Sequence, residues 1–156
     1  TGCNLLPETV STLFHTKENI VGLKEATGNM AQASQTMYLT DGKLDMYSGE
    51  DGLVLPMLAI GGSGVISVWS NVAPRQVHEL CESFWKGDME TAMKLQREAL
   101  PLVDGLFSEV NPIPVKAAMN AMGLEVGPLR APLCEMGDVN RAKLIEVMKN
   151  YGIKLA

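Results

Sequence analysis

The sequence predicts an α/β fold in which a small parallel sheet is followed by a purely helical region. Three β-prone runs, at Asn19–Ala26, Leu44–Ser48 and Val65–Trp69, alternate with helical stretches and are joined by short connections. Such alternation is typical of βα units around a parallel sheet. Only helical patterns follow Trp69, so the sheet is predicted to lie in the first half of the chain.

Each helix of the first half has a local signal. A helix is predicted from Pro7 to about Thr16, since Pro fits the first turn and Asn4 lies upstream as a cap. Asn29 is predicted to open a second helix that runs to about Tyr38. The dipeptide Asp41–Gly42 then predicts the turn that leads into the next strand.

A third helix is predicted from Asp51 or Gly52 to the glycines that begin at Gly61. The adjacent carboxylates Glu50 and Asp51 could form an acid/base pair, but neighbouring side chains diverge, so capping by Asp51 is favoured. The glycines of Gly61–Gly64 could cradle a phosphate. They precede a strand rather than open a helix, which favours a turn that ends a helix.

Four amphipathic helices are predicted in the second half. Pro74 begins the first and Gly87 ends it, and Asp88 caps a second that is interrupted or ends near Pro101. The remaining two are predicted at Pro112–Met122 and Asp138–Tyr151. The face of the first helix is formed by Val77, Leu80, Cys81 and Phe84 or Trp85, and that of the second by Ala92, Leu95 and Ala99.

Composition restricts the class of protein. The chain has 156 residues, of which 46% are hydrophobic, enough for an ordinary globular core. Its 13 basic residues are scattered among 18 acidic ones, which argues against nucleic-acid binding.

The three cysteines, Cys3, Cys81 and Cys134, lack the spacing of a disulfide framework or a zinc site. We therefore expect a reducing, cytoplasmic setting and no metal. No apolar run approaches the roughly 20 residues that span a membrane.

Lys24 is the first candidate for function. It is a lone lysine at the end of a short apolar run, and burial there would lower the pKa of its ammonium group. A neutral amine can attack a carbonyl and form a Schiff base. A surface or salt-bridged lysine is the alternative from the residues alone. Glu25 is predicted to point to the opposite face of the strand and to support a helix rather than tune Lys24.

A series of short blocks resembles the second half of the dihydrodipicolinate synthase family, in the pyruvate-dependent class I aldolase superfamily. The most specific block is Gly22–Asn29, which reads GLKEATGN. The Lys-Glu-Ala-Thr-Gly-Asn and Ser-Gly-Glu-Asp strings favour this family over a sialic acid lyase or another 2-keto acid aldolase, which remain the alternatives. The other blocks are Thr1–Gly2, Leu6–Val10, Ser48–Asp51, Gly61–Val68 and Asn111–Lys116.

The resemblance implies a (β/α)8 TIM barrel followed by a C-terminal helical domain. Residues 1–86 would supply the last three barrel strands, and residues 87–156 the helical domain. Active sites of such barrels lie at the carboxyl ends of the strands. In the family, the counterpart of Lys24 forms the Schiff base with pyruvate, and that of Ile66 lines the pyruvate pocket through its backbone. Gly49 is the other predicted substrate-binding residue, and it is either a turn residue or a place where a ligand approaches closely.

The implied reaction needs no cofactor. It condenses pyruvate with L-aspartate 4-semialdehyde to 4-hydroxy-tetrahydrodipicolinate, in lysine and diaminopimelate biosynthesis. The family's proton-relay tyrosine and a carboxylate-binding arginine would precede Thr1, so we expect a fragment, cut after that arginine or made as a deliberate half, that is inactive alone. Its partner would be the missing N-terminal half or a second copy. A non-catalytic assembly module that pairs with the missing half is the other hypothesis.

Overall fold

The computed structural model describes residues 2–156, which pack as two compact units; Thr1, part of the first matched block, lies outside the described residues. The first unit ends at Ser67 and the second is Val68–Ala156. The division at residue 86 refers to the domains of the whole barrel and stays a prediction. The elements of the first unit are α1 (Pro7–Thr16), β1 (Gly22–Glu25), α2 (Met30–Leu39), β2 (Asp45–Ser48), α3 (Val54–Ala59) and β3 (Gly64–Val65).

The three strands form one parallel sheet, as the alternating pattern predicts, and their order in it is β1-β2-β3. Lys24 of β1 lies opposite Tyr47 of β2, and Ser48 of β2 lies opposite Val65 of β3. Because the strands are parallel, all three carboxyl ends lie at the same edge of the sheet. This edge is where the predicted site residues are found.

One face of the sheet carries the core of the first unit. Successive strand residues alternate between the two faces, so Leu23 and Met46 point to the side where helices pack. The opposite face carries Lys24 and Tyr47, which are exposed. The buried members of the core are Val10 of α1, Ala33 and Met37 of α2, Leu44, Met46 of β2 and Met57 of α3.

The third strand is shorter than predicted. The sequence predicts Val65–Trp69, but regular pairing covers only Gly64–Val65 and is extended by one bond, from Ile66 N to Ser48 O at 2.8 Å. Val68 already has helical backbone angles, and Trp69 begins a short 3-10 helix. The indole of Trp69 is fully buried in the second unit and meets the ring of Tyr151 edge-on, so its packing takes the chain out of the strand.

Two predicted caps of the first unit are wrong. The residue at the N-cap of α1 is Leu6, and the side chain of Asn4 bonds to Gln32 instead. At the turn before α3, the capping side chain is that of Glu50, which accepts from Gly52 N, while Asp51 is buried within the 3-10 turn. The predicted cap at Asn29 is confirmed, since its side chain accepts from Gln32 N.

The second unit has helices and no strand. Its helices are α4 (Pro74–Trp85), α5 (Met89–Leu106), α6 (Ile113–Ala121) and α7 (Asp138–Tyr151). The sequence predicts that helix α5 is interrupted or ends near Pro101. The helix instead continues through Pro101 to Leu106. A proline inside a helix costs about 3 kcal/mol. Burial of Leu102, Val103 and Leu106, all on the turn that follows, offsets this cost.

Helix α4 buries the predicted apolar face, with one exception. Val77, Leu80 and Cys81 are buried, and Phe84 rather than Trp85 completes the face, since Trp85 is 59% exposed. None of the helices among the described residues is both long enough and apolar enough to cross a bilayer.

Candidate active site

The three predicted site residues lie at the carboxyl edge of the sheet. Lys24 is the last residue but one of β1, Gly49 directly follows β2, and Ile66 directly follows β3. The side chains of Lys24 and Ile66 lie on the face that carries no helices, where Ile66 is 48% exposed. In parallel α/β proteins this edge is the usual place for a ligand.

Gly49 lies directly against the side chain of Lys24. A Cβ atom built on Gly49 would lie 2.9 Å from Lys24 Cε, 2.7 Å from Ala26 Cβ and 3.0 Å from Glu25 O. The Gly49 N–H also donates to Glu25 O at 2.6 Å. The sequence leaves open whether Gly49 is a turn residue or a point of close approach. The structure shows a close approach by β1 and the Lys24 side chain, and close approach of a ligand to Gly49 stays a prediction.

Lys24 is exposed, so the expectation of a buried amine is wrong for residues 2–156. The physical reason is that no segment of the first unit, among its described residues, covers the face of the sheet on which Lys24 lies. Tyr47, its partner across the strands, is 36% exposed on the same face. The residues described here therefore do not supply the desolvation on which the prediction relied.

Glu25 points to the opposite face of β1 from Lys24, as the alternation of side chains along a strand predicts. Its side chain lies on the helix-bearing face and is only 5% exposed. The carboxylate Oε1 accepts a hydrogen bond from Thr27 N at 2.7 Å, and Thr27 Oγ1 accepts from Asn29 N at 3.1 Å. These bonds fix the loop between Lys24 and α2, so Glu25 supports the start of the helix.

A groove of about 500 Å³ opens beside Lys24. It is lined by the segment from Gly2 to Leu5, by Val10 of α1, and by the end of β1 with the loop after it. Gln32 of α2 also lines the groove. Sequence reasoning missed Asn4 and Gln32 as groove residues, because neither belongs to a periodic pattern or a motif of known chemistry.

The other glycine motif behaves as predicted. Gly61 has a φ of +98°, and Gly62 N donates to Met57 O at 2.9 Å, which closes the turn at the end of α3. A Cβ on Gly62 would lie 2.7 Å from that same oxygen. The glycines therefore end a helix. Among residues 2–156, no group of three or more His, Cys, Asp or Glu side chains could hold a metal ion.

Comparison with known proteins defines first the class and then the family. A dihydrodipicolinate synthase from Thermotoga maritima superposes with a TM-score of 0.93 at 41% identity, over 97% of this chain and 52% of that one. One from Cyanidioschyzon merolae, with lysine bound, gives 0.94 at 37% identity, over 99% of this chain and 52% of that one. The fold is therefore an α/β fold of the TIM-barrel class.

Residues 1–151 match the family described as the dihydrodipicolinate synthetase family. The chain is 52% identical over 153 residues to 4-hydroxy-tetrahydrodipicolinate synthase of Lachnoclostridium phytofermentans, a match that covers 98% of this chain and 52% of the relative. The chain thus belongs to the dihydrodipicolinate synthetase family and spans about half the length of the relatives it matches.

Proposed function

We propose that this chain carries the pyruvate-binding half of a 4-hydroxy-tetrahydrodipicolinate synthase. It supplies the last three strands of a (β/α)8 barrel and the helical domain that follows. Lys24 is the Schiff-base lysine, and Gly49 and Ile66 line the pyruvate pocket. The observation that carries the proposal is the convergence of these residues at one edge and one face of the parallel sheet.

The chemistry follows from the amine of Lys24. A neutral Nζ attacks the ketone carbon of pyruvate, and loss of water leaves an iminium. The iminium takes up the electron pair when the methyl group loses a proton, which gives an enamine. The enamine carbon then adds to the aldehyde of L-aspartate 4-semialdehyde. The amine of that second substrate displaces Lys24 and closes the ring.

Proton transfer in these steps needs groups beyond the Lys24 amine. The resemblance assigns them to a tyrosine in the family's first half. A first half that covers the exposed face around Lys24 and Tyr47 also removes water from the amine, which favours its neutral form. The chain alone is therefore inactive in ring formation, because the proton relay comes with the other half, whereas Lys24 can still form the Schiff base, more slowly than when the other half covers it.

The Schiff base is tested by incubating the chain with pyruvate, reducing with borohydride and locating the adduct by peptide mass spectrometry. We expect the adduct on Lys24 and none in the Lys24→Arg variant. Lys43 is a control within the same unit, since its side chain is 73% exposed and pairs only weakly with Asp41 at 3.7 Å. Equal modification of Lys24 and Lys43 would show that the reaction is not site-specific.

A second experiment tests whether this chain can take part in the whole reaction. The chain is mixed with the part of the Lachnoclostridium phytofermentans relative that it does not match. The mixture is expected to form the ring product from pyruvate and L-aspartate 4-semialdehyde, whereas each part alone does not. Ring formation by this chain alone would refute the division of roles. Preference for a sugar aldehyde as second substrate would favour the alternative, a sialic acid lyase-like or other 2-keto acid aldolase.

A second candidate is an assembly module without catalysis. It is favoured by apolar exposure around the sheet, with Val21 60%, Ile66 48% and Tyr47 36% exposed. Such a surface fits a complementary half or a second copy. Light scattering tests this candidate: a stable monomer would argue against it, and pairing without a Lys24 adduct would favour it over the enzyme.

A further inference from the structure

We infer that the hydroxyl of Ser48 is a positioning group that holds the turn at Gly49 and thereby keeps the Lys24 side chain in place for attack on a 2-oxo acid. The inference rests on the proposed function for the chemistry at Lys24. The turn itself rests on hydrogen bonds among the described residues and does not depend on that function.

Ser48 closes the turn that follows β2 with two side-chain hydrogen bonds. Its Oγ donates to Glu50 O at 2.7 Å and accepts from Glu50 N at 3.2 Å. Serine side chains often bond the backbone of the next residues in this way, and the bonds favour a turn over an extended chain. Gly49 lies between the two bonded residues, so the hydroxyl restricts the orientation of its peptide groups.

The main chain ties the same turn to both neighbouring strands. Ile66 N donates to Ser48 O at 2.8 Å, and Gly49 N donates to Glu25 O at 2.6 Å. The Cβ position of Gly49 lies 2.9 Å from Lys24 Cε. A rotation of the Gly49 peptide would therefore move the surface against which the Lys24 side chain lies.

The Ser48 hydroxyl lies on the opposite face of the sheet from the reacting amine. Side chains alternate along a strand, so that of Ser48 points to the helix-bearing face, whereas Tyr47 shares the face of Lys24. Ser48 is also 0% exposed. Its hydroxyl therefore acts on Lys24 through the turn, as a positioning group and not as a catalytic one.

The turn is tested by amide hydrogen exchange in the Ser48→Ala variant, followed residue by residue by NMR. Alanine removes both bonds with little loss of volume. We expect the amides of Gly49 and Glu50 to exchange about tenfold faster than in the wild type, because a buried hydrogen-bonding partner is lost. Unchanged exchange at both amides would overturn the role of Ser48, as would an equal rise at the core amide of Met46.

The matched control is Thr40→Val, which removes another buried hydroxyl from the same unit. Thr40 is 0% exposed, and its Oγ1 donates to Thr36 O at 2.9 Å, at the end of α2 that precedes β2. We expect Thr40→Val to lower the free energy of unfolding and to leave pyruvate trapping at Lys24 as in the wild type. Equal losses of trapping in Thr40→Val and Ser48→Ala would overturn the inference.

The effect on substrate is tested by the rate of borohydride trapping of pyruvate at Lys24. In Ser48→Ala this rate is expected to fall about fivefold, because the amine is held less often in the position for attack. Any background adduct at the exposed Lys43 should not change. Ser48→Thr keeps the hydroxyl and is expected to restore most of the rate. A reduced rate in Ser48→Thr, despite wild-type amide exchange at the turn, would overturn the positioning role.

Failure of this inference and failure of the proposed function give different results. If the wild-type chain forms no Lys24 adduct, the proposed function fails, and the substrate part of the inference fails with it. The exchange rates of Gly49 and Glu50 still decide whether Ser48 holds the turn. Equal trapping in the wild type and Ser48→Ala, together with faster exchange at the turn, would keep the proposed function and overturn the inference.

Discussion

The backbone of Gly49 and the side chain of Lys24 occupy adjoining space at the ends of β1 and β2, with no room for a methyl group between them. A Cβ on residue 49 would lie 2.9 Å from Lys24 Cε and 2.7 Å from Ala26 Cβ. Neither contact is sterically possible without a shift. Gly49 therefore sets where the lysine side chain can lie, although it has no reactive group of its own.

Replacing Gly49 by Ala is expected to displace the Lys24 side chain and to reduce trapping of pyruvate at Lys24 at least tenfold. The backbone carbonyl of Glu25 also lies 3.0 Å from the new Cβ, so the strand end cannot yield easily. The measurement is the yield of the borohydride adduct by mass spectrometry.

The control for this variant is Gly42→Ala. Gly42 has a φ of +65° and no atom within 4 Å of its Cβ position, so alanine there brings backbone strain of about 1 to 2 kcal/mol without a side-chain contact. It lies in the turn before β2, at the opposite end of the strand. Gly42→Ala should lower the free energy of unfolding and leave trapping unaltered. Similar trapping in both variants would contradict the role of Gly49.

Replacing Asn29 by Ala is expected to lower the free energy of unfolding by about 1 kcal/mol, the usual effect of removing an N-cap side chain. The side chain of Asn29 accepts from Gln32 N at 3.1 Å at the start of α2. Denaturant unfolding followed by circular dichroism measures the change. Asn19→Ala, at an exposed position before β1, is the control, and an equal loss in both variants would rule out the cap as the cause.

The sequence predicts the order of elements well, because most of its signals are local. Asn29 and Asp88 occupy the predicted N-cap positions of α2 and α5, and α7 has the predicted bounds. The errors arise where packing outweighs local preference. Trp69 leaves the predicted strand because its indole is buried in the second unit, and α5 continues past Pro101 because the following turn is buried.

The site was only partly predictable for a related reason. The position of Lys24 at a strand end and the opposite orientation of Glu25 follow from the period of a strand. The contact between Gly49 and Lys24 depends on the register of β1 against β2, which a local pattern does not contain. The pair of Asn4 and Gln32 joins residues 28 positions apart, and neither side chain belongs to a recognisable motif.

The three thiols are expected to differ in reactivity. Cys3 and Cys134 are exposed, whereas Cys81 is buried in α4, and burial raises the pKa of its thiol. The thiolate is the reactive form, so Cys81 reacts more slowly and needs a higher pH. Alkylation of the native chain near pH 8 should modify Cys3 and Cys134 first, as quantified by peptide mass spectrometry. Addition of denaturant should equalise the three, and rapid native modification of Cys81 would contradict its burial.

The cap of α5 is expected to weaken in acid. Hydrogen bonds from Thr91 hold the pKa of the Asp88 carboxyl below its ordinary value, and Thr91 N lies 3.1 Å from its Oδ1. A carboxyl whose pKa is lowered by folding stabilises the folded chain above its unfolded-state pKa, about 3.9, and this stabilisation is lost as the pH falls through the lower folded-state value. The difference between the thermal unfolding midpoints of the wild type and Asp88→Ala should therefore be largest near neutral pH and shrink as the pH falls through the folded-state pKa. Asp88→Asn keeps an acceptor at the same position but cannot titrate, so its advantage over Asp88→Ala should stay constant with pH. A wild-type advantage that is equally constant would show that the charge of Asp88 does not contribute.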